Sequence, residues 1–94
     1  MPIHQYASLE TTDGARIVKR LCNHWKHKFD IIEEDEKFYI PFPDAQVILS
    51  ANDAQIFIDI RTEKANVVTQ YQDVVVNHLN RMAQQEFTVD WQSK

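Results

Sequence analysis

Apolar and polar positions alternate from the start of the chain. Ile3, Ala7 and Leu9 fall on one side of residues 3–10 and His4, Tyr6 and Ser8 on the other, a half-buried strand with polar Gln5 as its exception. The period then changes. Ile17, Val18, Leu21, Cys22 and Trp25 recur at helical spacing, so one stripe of a helix is apolar, starting behind Thr12 or Asp13 as N-cap and ending near His27. Residues 29–33 and 37–42 read as strands joined across the acidic tip Glu34-Asp35-Glu36. Residues 45–51 and 54–61 form a second strand pair around Asn52-Asp53, a dipeptide that tolerates the positive φ of a tight hairpin. Val47, Leu49, Ile56, Ile58 and Ile60 take its inward face.

Residues 63–84 set propensity against periodicity. Val74, Val75 and Val76 favour a strand, but Val67, Val68, Tyr71, Val74, Val75, Leu79, Met82 and Ala83 hold helical spacing throughout, and the longer pattern predicts a helix. Phe87, Val89 and Trp91 alternate with Thr88 and Asp90 and predict a short last strand. The resulting order, β-α-β-β-β-β-α with a final short β, implies an α+β two-layer sandwich. An antiparallel sheet carries two helices on one face, an order shared by analogy with the TATA-binding-protein-like fold. That analogy carries no function.

Length bounds the architecture further: 94 residues, without repeat or linker, make a single domain with one modest core. The formal net charge of −4 argues against nucleic acid or an anionic membrane as partner. A lone cysteine, no long apolar run and no basic-then-apolar N-terminus lead to the expectation of a cytoplasmic protein. No nucleophile–base pair, paired carboxylates, Gly-rich phosphate loop or Cys-x-x-Cys occurs, so neither a cofactor nor an enzyme acting alone is expected.

The densest chemistry lies in LCNHWKHKF, residues 21–29. Cys22 belongs to the apolar stripe, where a free thiol behaves as a small buried hydrophobe. His27 falls on the opposite face and His24 on the border, so the three do not converge as a tetrahedral metal site requires. His24 and His27, one turn apart, with His78 from the second helix, are the alternative metal ligands. His78 itself sits in an apolar stripe and is expected to be buried and hydrogen-bonded. Charge placement is more informative: Arg16, Lys19, Arg20, Lys26 and Lys28 are half of the chain's 10 Lys and Arg, with no acid between Gly14 and Phe29. With His24 and His27 they make a candidate binding face for an anionic ligand or an acidic protein surface. On the other side of the molecule, alternation turns Tyr6, Ile32, Tyr39, Ile48 and Phe57 away from the helices. Aligned across strands, they are a candidate homodimer interface or amphipathic-ligand surface.

LCNHWKHKF, together with IPF at 40–42, VVVNHLNRMA at 74–83 and FTVDWQ at 87–92, resembles the bacterial domain-of-unknown-function family 2218 over essentially the whole chain. The resemblance marks His24, Trp25, His27, Lys28, His78, Arg81, Glu86 and Trp91 as motif positions without a catalytic assignment. It implies a non-enzymatic accessory domain near iron–siderophore metabolism, because similar domains occur alone or joined to flavin-dependent siderophore-interacting reductases. Gln84 and Gln85 stand where the family pattern has an aromatic–Arg pair, and the family's usual hairpin glycines are missing.

Overall fold

The computed structural model describes residues 2–93. Strand β1 (Ile3–Glu10) leads into helix α1 (Gly14–Trp25), then β2 (Ile32–Glu34), β3 (Lys37–Phe42), β4 (Ala45–Ala51) and β5 (Gln55–Thr62). A 3-10 turn, Ala65–Val67, opens α2 (Val68–Ala83), and a two-residue strand β6 (Gln92–Ser93) follows. The strands form one six-stranded antiparallel sheet in the order β2-β3-β4-β5-β1-β6. Both helices cover the same face, so the predicted α+β sandwich is the observed one.

Period-two alternation builds the inner layer. Val47, Leu49, Ile56, Ile58 and Ile60 are buried with Ile40 and Leu9, and Ile17, Val18, Leu21, Cys22 and Trp25 of α1 pack onto them. From α2 come Tyr71, Val75 and Leu79. The valine run at 74–76 is helical because i, i+4 burial of Tyr71, Val75 and Leu79 outweighs its weak strand preference. The chain's one glycine, Gly14, opens α1 where a Cβ would lie 3.0 Å from Ile56 Cγ1 and 3.1 Å from both Ala51 Cβ and the Gln55 carbonyl oxygen. Its missing side chain lets the helix start sit directly on the β4–β5 hairpin.

Three boundaries and one turn differ from the sequence reading, each for a local reason. The helix α1 stops at Trp25, whose carbonyl accepts from Lys28 (2.9 Å) and Phe29 (3.0 Å), so His27 lies beyond the helix. Residues 29–31 are not strand. The Ile31 N–H donates to the Phe29 carbonyl (3.0 Å), and pairing begins only at Ile32. Residues 87–91 alternate half-buried and exposed as predicted yet have no ladder. The Phe87 N–H bonds instead to Asn80 Oδ1 (3.0 Å), and the strand is Gln92–Ser93. At the β4–β5 hairpin Asn52 does not use positive φ. Its side-chain oxygen accepts from Ala54 (2.8 Å) and Gln55 (2.7 Å). Positive φ occurs at Asp35 (52°) and Glu36 (64°) in the β2–β3 turn, and at Gln84 (58°) closing α2.

Candidate functional site

The exposed side of α1 follows directly from its stripe. With Ile17, Val18, Leu21, Cys22 and Trp25 turned inward, Arg16, Lys19, Arg20, Asn23 and His24 are left outward, and Lys26, His27 and Lys28 continue past the helix end, all exposed. Arg16 meets Asp13 at 3.3 Å on the surface. Lys19, Arg20, Lys26 and Lys28 have no carboxylate within ion-pair distance among the described residues. The face splits into parts. Lys19 borders a groove of about 490 Å³ shared with Glu33, Glu36 and Asp53 of the hairpin tips. Arg16 and Arg20 line a cleft of about 150 Å³ against Met82, Ala83, Gln84 and Gln85. The end of α2 projects carbonyls there, a partial negative charge that suits the arginines.

The ridge Arg16, Arg20, His24 therefore runs along α2, because the helices are antiparallel: Arg20 lies near Met82, and His24 near His78. The His24 and His78 rings are 6.1 Å apart, and the Trp25 ring is 5.1 Å from His78. Beneath them an aromatic cluster continues from Trp25 to Phe42 (5.2 Å), Phe29 (4.7 Å from Phe42) and Tyr71 (5.1 Å from Phe42). His78 is half-buried, and its Nδ1 lies 2.7 Å from the Val74 carbonyl. A carbonyl only accepts, so Nδ1 carries the proton, and in the neutral ring Nε2 keeps its lone pair. His27 has no ring contact with either histidine, and among the described residues no group of three or more His, Cys, Asp or Glu is arranged to hold a metal ion. The structure thus brings two of the three sequence-predicted ligands together and leaves the third outside.

Cys22 is 4% exposed, and burial, with a smaller push from the charge of Glu33, raises its thiol from 9.0 to about 12. It takes no part in the surface chemistry.

On the open face of the sheet the register makes one row across every strand: Ile32, Tyr39, Ile48, Asp59, Tyr6 and Gln92. Ile48 is only 5% exposed there, and Ile32 is 58% exposed at the edge. Asp59 interrupts the predicted band and is held by His4 Nε2 at 2.5 Å. Phe57 lies one row over, between Ser50 and Ser8. The candidate interface residues are thus two smaller patches divided by a polar pair.

The model of the family DUF2218, uncharacterized proteins conserved in bacteria, matches residues 6–92. The chain belongs to this family. Its fold is also that of a solved structure, the NMR structure of PA4090 from Pseudomonas aeruginosa. The two share 32% sequence identity, with a TM-score of 0.82 over 96% of this chain and 95% of that one. No curated protein matches the chain. Of the DUF2218-like motif positions, His24, Trp25 and His78 meet at one end of the helix pair, whereas Glu86 and Trp91 lie in the C-terminal stretch. Among the described residues no helix is long and apolar enough to cross a membrane.

Proposed function

We propose that this DUF2218 domain is a non-enzymatic binding module that docks an anionic surface on α1. Its partner is an acidic patch of a flavin-dependent siderophore-interacting reductase in bacterial iron metabolism. The observation that carries the reading is the set of exposed cations Lys19, Arg20, Lys26 and Lys28 without ion-pair partners among the described residues, on a chain whose net charge is −4. Carried along α1 and just past its end, they steer an acidic partner and raise its association rate. The link to the reductase rests on the family resemblance.

The test is association kinetics of the purified domain on an immobilised bacterial siderophore-interacting reductase, at about 50 and 200 mM salt. Wild type should associate more slowly at the higher salt. Lys19→Glu with Arg20→Glu should slow association by about tenfold or more while changing dissociation little. Equal association of both proteins would overturn the docking role of α1.

One geometric fact favours a second reading, metal binding by His24 and His78. Their ring centroids lie 6.1 Å apart with the planes tilted by 40°, and the Nδ1–H of His78 is tied to a backbone carbonyl as metal-ligating histidines usually are. Calorimetric titration of untagged protein with Zn²⁺ separates the readings. Uptake lost in His24→Gln and in His78→Gln but kept in His27→Gln favours the metal site. Absence of uptake removes it.

A further inference from the structure

Residues 85–93 run beside β1 but, among the described residues, pair with it only at Gln5↔Ser93 and Tyr6↔Gln92. Beyond Tyr6 the two segments diverge, and a groove of about 710 Å³ opens between residues 7–10 of β1 and residues 85–90. Its volume falls in the range of small-ligand and peptide sites. Its floor is an unfinished sheet edge, which the hydrogen-bond phase of β1 shows. The Thr11 N–H donates to the Ala54 carbonyl (3.0 Å), one step past the Glu10↔Gln55 pair. In an antiparallel ladder successive residues turn their main-chain groups to opposite sides. Odd-numbered residues of β1 therefore bond β5, and even-numbered ones face the groove. Gln92 meets Tyr6 there. The main-chain groups of Ser8 and Glu10 have no strand partner on that side, and no other hydrogen-bonding partner among the described residues.

Edges of this kind are usually blunted. The opposite edge, β2, is three residues long and carries exposed Glu33 and Glu34. The β1 edge instead lies inside a walled groove that a strand can enter from solvent. The walls specify charge. Glu10, Glu86 and Asp90 line the groove, and among the described residues no Lys, Arg or His does. They also offer an apolar contact, because Phe57 is 36% exposed and lines the groove beside Tyr6.

We propose that this groove is a strand-addition site for an extended cationic segment of a partner protein. The segment's backbone completes the ladder at Ser8 and Glu10. Its lysine or arginine side chains meet Glu10, Glu86 and Asp90, and their aliphatic stems cross Phe57, which shares the outer face with Glu10. Main-chain hydrogen bonds supply affinity in such additions, and side-chain alternation supplies selectivity. The site is separate from the basic face of α1 and takes a partner of the opposite charge.

The probe is the blocked hexapeptide Lys-Val-Lys-Val-Lys-Val, titrated into the ¹⁵N-labelled domain. Two further versions are N-methylated on alternate residues, so that each has one hydrogen-bonding edge blocked. The expected result is amide shifts at Ser8, Glu10 and residues 85–90, with one methylated version binding about tenfold or more weakly and the other nearly unchanged. Glu10→Lys should weaken the parent peptide. Ser8→Pro, which removes a groove-facing N–H that β5 does not use, should abolish the ordered mode. If that variant fails to fold, the methylated peptides still decide. Equal binding of both methylated versions would overturn the proposal in favour of charge attraction alone. So would shifts confined to other surfaces, or no binding at all. Concentration-dependent shifts at Ser8 and Glu10 without peptide would overturn it in favour of a second copy of the chain.

Discussion

Replacing Gly14 with alanine sets helix propensity against packing, and the structure indicates which dominates. Gly14 is the first residue of α1, and in an open helix alanine would stabilise by up to about 1 kcal/mol. Here the new methyl would stand 3.0 Å from Ile56 Cγ1 and 3.1 Å from both Ala51 Cβ and the Gln55 carbonyl oxygen. Apolar carbon pairs prefer about 3.5–4.0 Å, so the carbon contacts are about half an ångström too close. None of the three atoms yields easily. Ala51 Cβ and the Gln55 oxygen belong to the hairpin backbone locked by Asn52, and Ile56 is fully buried. The first turn of α1 must lift instead, and overpacking of this kind costs about 1–3 kcal/mol. The net expectation is destabilisation by about 1 kcal/mol, a fall in Tm of about 4–8 °C for a domain of this size. Urea denaturation followed by circular dichroism measures it. Ala15→Gly on the adjacent exposed position calibrates propensity alone and should cost about 0.5–1 kcal/mol. A Gly14→Ala protein as stable as wild type, or more so, would refute the argument that α1 is seated by close approach to the hairpin.

Three further outcomes follow from the same geometry. Cys22 should resist thiol reagents in the native state. Because its folded-state pKa is raised, its contribution to stability is complete below about pH 9 and is lost by on the order of 1 kcal/mol per pH unit as pH climbs towards about 12; a Cys22→Ala protein should lack that component. Glu36→Gly should stabilise by about 0.5–1 kcal/mol, since Glu36 holds a φ of 64° without being glycine, and thermal melts of the variant test the sign. Leu79→Ala, at a fully buried α2 position in the common core, should cost about 2–5 kcal/mol in the same denaturation assay.

Much of this architecture is legible in the sequence because two periods carry it. Alternation assigns the inner and outer faces of β1, β3, β4 and β5 correctly, and helical spacing identifies α2 despite its valines. What periodicity cannot supply is partnership. Residues 87–91 alternate as a strand does, but Asn80 holds Phe87 away from the β1 ladder. His24 and His78 meet only because α1 and α2 are antiparallel with a particular offset, which neither helix encodes by itself. The break in the outer row was readable in part, since Asp59 shares the parity of Phe57. That His4 reaches Asp59 depended on the β1–β5 register. The groove beside β1 had no sequence signal, because it arises where two segments fail to pair.

Docking through the basic face of α1 can be read residue by residue in an amide-resolved titration. The ¹⁵N-labelled domain is mixed with a purified, unlabelled siderophore-interacting reductase at low and at physiological salt. Docking through α1 should give shifts or broadening at Arg16, Lys19, Arg20, His24, Lys26, His27 and Lys28, weakening as salt rises. Spectra unchanged by the reductase, or changes confined to the open sheet face around Tyr39 and Ile48, would contradict it.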